Sequence, residues 1–235
     1  MKLSKRLELV AKMVSPGGVI ADIGTDHGYV PIYLIENNKC DRVFAADINK
    51  GPLERADAHI RECGLSDKIE TVLSDGMVKL QGKNINKVIV AGMGGELICK
   101  IIDSSPIIEE IDEMVLSPHS DIYKVRKCIL EKGFCIIDER MVKDAGKYYI
   151  VIKCIRTDSK ESFQHGCGYD EFELTYGRML FENKDEVFFE YLNNKIDKYN
   201  SIMQGLGDSD SARAKYEELS RKSEQCKIAI EKMKE

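Results

Sequence analysis

Ala21-Asp22-Ile23-Gly24-Thr25-Asp26-His27-Gly28-Tyr29-Val30-Pro31 is the stretch whose reading decides the fold. Residues 19–24 form a short apolar run closing on an acid and a glycine, which predicts a strand. Residues 29–38 predict a helix, with Pro31 tolerated in its first turn. A strand, a glycine turn and a helix in succession turn backbone N–H groups toward a ligand. The spacing D-x-G-x-D-x-G places an acid where a dinucleotide fingerprint carries its middle glycine.

Working outward, strands are predicted at 42–48, 68–73, 87–91 and 113–116. Helices are predicted at 51–63, 96–103 and 123–132. Pro52 falls in a first helical turn, and Gly64 and Gly133 follow helix ends. Such alternation argues for a mostly parallel sheet with helices on both faces. Two further strands, 134–139 and 148–155, are joined by the turn region 144–147 without room for a helix. They are expected to pair antiparallel. The expected fold class is therefore α/β, a Rossmann-like sheet, mostly parallel with an antiparallel last strand. Before the first strand, Leu3, Leu7, Val10 and Val14 share one face of a helix that Ser15-Pro16-Gly17-Gly18 stops.

Composition shifts at 157–168, and no proline lies beyond it. Phe189, Leu192, Ile196, Tyr199, Met203 and Leu206 make one seam at alternating three- and four-residue steps. Ala212, Tyr216, Leu219, Ser223, Cys226, Ile230 and Met233 make a second. The breaker 207–211 between them predicts an antiparallel hairpin within one chain. Pairing with a second subunit is the alternative. The domains expected are 1–159, a sheet domain, and 160–235, a coiled-coil-like helical hairpin.

Four segments at predicted strand ends carry chemistry. Asp26 in the first would repel a pyrophosphate, which favours a ligand with a cationic portion. S-adenosyl-L-methionine has an ammonium, a sulfonium and a carboxylate but no phosphate. Asp22, Gly24, Asp26, His27, Gly28 and Tyr29 would line that turn. Asp47, with Ile48 and Asn49, follows the second strand, 19 residues after Gly28. That is near the spacing at which an acid accepts from ribose hydroxyls; a plain helix cap is the alternative. Asp75, Gly76 and Met77 follow the third strand. Asp75 could accept from an adenine amino group while Met77 packs on the ring. Ala91, Gly92, Met93, Gly94 and Gly95 follow the fourth, where glycines let a flat ligand approach backbone closely. His119, after the fifth strand, either lines the substrate side or belongs to a loop entering a helix.

The chain has 235 residues, of which 43% are hydrophobic and 32% charged, so it can build a packed core. Lys+Arg number 35 and Asp+Glu 40, for a net charge of −5. A generally basic nucleic-acid protein is excluded, but local patches are not. Residues 1–14 carry +3 and residues 140–156 carry +4, counted from the sequence. Phosphate contacts need such patches rather than a basic total. No apolar run is long enough for a membrane span, and the first residues lack the apolar core of a secretory signal. The eight cysteines form no C-x-x-C pair and are expected to be reduced thiols. The four histidines lack zinc-ligand spacing, so no metal is expected.

Together these segments resemble the bacterial TrmK family, tRNA (adenine-N1)-methyltransferases acting on adenine 22. The resemblance rests on Leu3-Ser4-Lys5-Arg6-Leu7, residues 21–31, Gly51-Pro52, Asp75-Gly76 and residues 91–95, and it runs through the helical tail. It implies a Rossmann-like domain with a coiled-coil-like hairpin, S-adenosyl-L-methionine as donor, tRNA as partner and adenine N1 as acceptor. It also implies Asp26 as the catalytic residue. Lys5, Arg6, Gly94, Gly95 and His119 would face substrate. A cytoplasmic monomer is the expected setting. The sequence departs from the family at Leu116-Ser117-Pro118-His119, where a Pro-Asn form is expected and a histidine stands instead. A methyltransferase for another acceptor, or a non-catalytic RNA-binding protein on the same scaffold, stays open at this stage.

Overall fold

The computed structural model describes residues 3–157 and 168–234. The expected junction between sheet and tail lies outside the described residues. The strands are β1 (Val19–Ile23), β2 (Arg42–Asp47), β3 (Ile69–Leu73), β4 (Lys87–Met93), β5 (Glu113–Pro118), β6 (Phe134–Asp144) and β7 (Lys147–Arg156). The helices that pack on them are α1 (Lys5–Met13), α2 (Tyr29–Glu36), α3 (Lys50–Glu62), α4 (Gly95–Asp103) and α5 (Ile122–Glu131). The tail adds α6 (Glu171–Tyr176), α7 (Arg178–Glu182), α8 (Glu186–Gln204) and α9 (Asp210–Lys232).

The seven strands form one sheet in the order β3-β2-β1-β4-β5-β7-β6. β1 through β5 are parallel, and β7 inserts antiparallel between β5 and β6. The order reverses between β1 and β4. In open α/β sheets such a switch point, outside the carboxyl ends of the strands, is where ligands bind.

Alternation along each strand sends side chains to two cores. Ile20, Val43, Ala45, Ile89, Val115 and Val151 face a cluster with α1, α2 and α3. Ala21, Ile23, Phe44, Val88, Val90, Met114, Leu116 and Ile152 face the other. That second cluster takes in Ile98 of α4 and Ile129 of α5. It continues into the tail through Leu180, Phe188, Leu192, Cys226, Ala229 and Met233. The tail helices thus share a core with the sheet.

The β4 strand runs two residues beyond its expected end, with a bulge between Ala91 and Met93 against β5. In the tail, α8 and α9 pack on each other. Leu219, Ser223, Cys226, Ile230 and Met233 are buried as the second seam requires, but Tyr216 is exposed. The first seam starts one residue off. Phe188 is buried and Phe189 is 42% exposed. Asp185 caps α8 through Phe188 N–H while its other oxygen accepts from Met141 N–H of β6. That double contact turns Phe188 rather than Phe189 toward the sheet.

Cys40, Cys63, Cys99, Cys128, Cys154 and Cys226 are free thiols. Cys135, half-buried on the edge strand β6, is disulfide-bonded, which departs from the expectation of reduced thiols throughout. An edge position leaves the sulfur reachable, unlike Cys154 in the sheet interior. No described helix is long and apolar enough to cross a membrane.

Candidate active site

The turn after β1 is built by two hydrogen bonds. Gly24 N–H and Thr25 N–H both donate to the Ala46 carbonyl of β2, at 2.8 and 3.0 Å. Gly24 has φ +75°, and a Cβ there would overlap the Met93 side chain. The positive φ favours glycine here, while the Met93 methyl is the end of a flexible side chain that could shift. Gly28 (φ +67°) begins α2 without a side-chain cap, so the first N–H groups of the helix are left for other acceptors.

Asp22 is buried at this end of β1. Burial pushes its carboxyl up to about 6, and the neighbouring Asp47 carboxylate acts in the same direction. The Thr25 side chain opposes that rise. His27 Nδ1 is also buried and has no partner among the described residues. Buried polar groups are normally satisfied, so this turn is a place where a polar ligand completes the bonding.

Asp26 lies at the rim, its side chain 70% exposed. Its Oδ1 accepts from Arg55 at 3.3 Å and sits 3.4 Å from His27 Nε2. The rings of His27, Tyr29 and His59 stack together, with centroids 5.2 to 5.6 Å apart. His59 Nδ1 lies 3.0 Å from the His27 carbonyl, so that nitrogen carries the proton and donates. Arg55 and His59 were not expected from the sequence. They lie one turn apart on α3, 29 and 32 residues from their partners.

A cleft of about 230 Å³ opens at the switch point. Gly24, Asp47, Ile48, Asp75, Gly76 and Met93 line it, so four strand-end segments converge there. Leu97, Lys100 and Ile101 of α4 close its far wall. Asp47 Oδ1 accepts from Asn49 N–H at 2.7 Å, which fixes the carboxylate at the mouth. Ile48 is 60% exposed, an apolar surface beside that mouth. A larger depression of about 610 Å³ lies between α4 and α5. None of the strand-end segments reaches it.

Two expected contacts are corrected. Met77 is 1% exposed and belongs to the core, where its sulfur accepts from Ser105 at 3.5 Å. The Gly76 turn (φ +54°) directs it inward, so it has no face for a ring. Gly95 is buried, and a Cβ on it would stand 2.5 Å from the Ser120 carbonyl. It packs α4 onto the following loop rather than opening to substrate. Gly94 is half-buried and begins α4.

Arg6 reaches Gly92, near the end of β4, from α1. A Cβ on Gly92 would lie 3.2 Å from its Nη1. That nitrogen is 3.0 Å from His119 Nε2, and the guanidinium lies 5.1 Å from the Tyr149 ring centre. Lys5 is exposed at the start of α1.

A methyltransferase-domain family model matches residues 3–152. The chain belongs to this methyltransferase family. Among relatives, it is similar to the tRNA (adenine(22)-N(1))-methyltransferase of Bacillus subtilis, 28% identical with 98% of each chain covered. Among solved structures, M. capricolum TrmK in complex with S-adenosyl-homocysteine aligns with a TM-score of 0.84. It is 28% identical, with 99% of this chain and 100% of that one covered. The B. subtilis m1A22 tRNA methyltransferase TrmK aligns with a TM-score of 0.79 at 28% identity, covering 97% and 99%. In this methyltransferase the matched region includes every residue that lines the cleft, and also Arg6 of α1, His119 and Tyr149 of β7.

The basic patch at 140–156 is smaller than its count. Arg140 pairs with Asp138, Lys143 with Glu190, Lys153 with Glu113 and Arg156 with Glu109. Those carboxylates come from neighbouring stretches of chain. Among the described residues, Lys5, Arg6 and Lys147 are in no carboxylate ion pair.

Proposed function

We propose that this methyltransferase transfers a methyl group from S-adenosyl-L-methionine to N1 of adenine 22 in tRNA. The observation that carries this reading is the convergence of four strand-end segments on one acid-lined cleft. The full-length similarity to tRNA (adenine(22)-N1)-methyltransferases agrees with it.

The residues present fit the donor. The unpartnered His27 nitrogen and the open first turn of α2 suit its amino-acid end. Asp47 and Asp75 line the cleft, where Asp47 would accept from a ribose diol and Asp75 from an adenine amino group. Ile48 and Leu97 supply apolar walls. When bound, S-adenosyl-L-methionine would supply an electrophilic methyl on its sulfonium, with a neutral thioether as the leaving group.

The protein then has to align N1 with that methyl and manage charge. Met93 and the half-buried Gly94 after β4 leave a floor on which a flat base can approach, and alignment supplies much of the acceleration. Methylation leaves positive charge on the base. Asp26 serves as the carboxylate that stabilises this charge or takes a proton from the 6-amino group. Base 22 is extruded from its stack to reach the floor. Lys5, Arg6 and Lys147 receive the RNA backbone on the α1 side. Residues 1–159 act as the catalytic unit, 160–235 as a helical unit, and the chain works as a cytoplasmic monomer.

Mass spectrometry of nucleosides from tRNA incubated with the protein and S-adenosyl-L-methionine tests this. 1-Methyladenosine is expected, and none from tRNA carrying guanine at position 22. Its absence from the wild-type reaction refutes the reading.

A further inference from the structure

We propose that His119 is a positioning residue that aims Arg6 at the backbone phosphate of the extruded nucleotide, with Tyr149 as the platform beneath the guanidinium. The inference rests on the adenine-methylation reading above and names how the target nucleotide is held.

Three contacts fix Arg6. Its Nη1 lies 3.0 Å from His119 Nε2, its guanidinium carbon lies 5.1 Å from the Tyr149 ring centre, and its backbone N–H donates to Asp144 at 3.2 Å. Arginine has only donors, so His119 Nε2 must be the acceptor and the imidazole must be neutral. Its surroundings agree. Burial first, then the Arg6 and Lys147 charges, hold His119 below the ordinary histidine value. Asp144, the acid beside Arg6, is engaged with the Arg6 backbone N–H. The His119 backbone is itself anchored, its main-chain N–H donating to the Met93 carbonyl at 2.8 Å. The end of β4 therefore sets the histidine, and the histidine sets the arginine.

The chemistry of the reaction selects what Arg6 grips. Methylation makes the base cationic, so a guanidinium against the ring would oppose the developing charge. A phosphate has no such conflict and matches the guanidinium fork in geometry and sign. The guanidinium stands at Gly92, next in the chain to the cleft-lining Met93, where the phosphate of a nucleotide turned toward the donor would pass. Tyr149 contributes its ring face, and its hydroxyl is not needed. This gives the departure at 119 a defined role. The imidazole takes the acceptor's place that the expected amide would fill.

Steady-state kinetics with an unmodified tRNA transcript, alongside calorimetric donor binding, decide it. His119→Ala is expected to raise KM for tRNA about tenfold, which is about 1.4 kcal/mol. Its kcat should stay within about twofold and its donor affinity should not change. His119→Asn, which keeps an acceptor, is expected to restore most of the loss. Tyr149→Ala should behave as His119→Ala. Arg6→Lys should raise KM despite keeping its charge. A His119→Ala variant with unchanged KM, or a His119→Asn variant as impaired as the alanine, overturns the proposal alone. A wild-type chain that makes no 1-methyladenosine overturns the underlying reading and this one with it.

Discussion

Arg126 of α5 and Glu139 of β6 form an ion pair at 2.7 Å with side chains 1% and 0% exposed. Arg126 Nη1 also donates to the Leu174 and Thr175 carbonyls at the end of α6. Gly177 lies against both charges. A Cβ there would stand 2.6 Å from Arg126 Nη2 and 2.7 Å from Glu139 Oε2. Burial raises the Glu139 carboxyl above its ordinary value, and Arg126 opposes this. Removing one partner of such a pair strands a buried charge. Arg126→Met is expected to lose about 3–5 kcal/mol in urea unfolding. Arg126→Met with Glu139→Leu is expected to recover much of it. A single variant within about 1 kcal/mol of wild type would show that the pair does not hold the tail.

Asp22 gives a pH prediction. Its folded value of about 6 is raised above the ordinary 3.8. The folded state therefore binds its proton more tightly than the unfolded state. That contribution is fully present below about pH 4 and is lost as pH rises through 6. Asp22→Asn should match wild type near pH 4. By pH 8 it should exceed wild type by at most about 3 kcal/mol. Donor affinity should fall in the same variant. Urea melts across this range check the first point, and a stability gap independent of pH would contradict it.

Asp26 is the reverse case, exposed and held by Arg55. Asp26→Ala is expected to leave stability within about 0.5 kcal/mol. It should abolish methyl transfer while calorimetry still detects donor binding. Full activity in the variant would remove Asp26 from its role.

The RNA-facing charge is predicted to be local. Lys5→Glu with Arg6→Glu should weaken tRNA binding and reduce the magnitude of the salt slope by about 2. Lys147→Glu should act in the same direction. Lys143→Gln, whose charge is already matched by Glu190, should change the slope little. Filter binding across a salt series measures all three. An unchanged slope in the double variant would move the RNA elsewhere.

The alternation of strands and helices is legible in the sequence because each apolar run ends at a glycine or proline. The β6–β7 hairpin is legible because its connection is too short for a helix. The extension of β4 to Met93 is not legible, since Gly92-Met93-Gly94-Gly95 reads as a turn until β5 is there to pair with it. The segments around Asp22, Asp47 and Asp75 are legible as a site because each follows a strand. Arg55, His59 and Tyr149 are not. They sit inside regular elements and reach the site only through tertiary packing. A sharper reading of α3 could have noticed Arg55 and His59 four apart on one face. Tyr149 alternates with Tyr148, and nothing local says which face meets Arg6. The patch at 140–156 misled for the same reason: a local count cannot see that Glu109, Glu113 and Glu190 arrive from elsewhere.

The core that Val88, Val90 and Leu116 share with Phe188, Cys226 and Met233 carries a consequence for biogenesis. Chains fold as they emerge from the ribosome, amino end first. α4 and α5 cover part of this face, but the remainder cannot be covered until α9 has left the exit tunnel, long after the strands bearing the cleft are made. The nascent protein therefore waits with a greasy face exposed, a window for chaperone capture. Completion of the last helix closes that window.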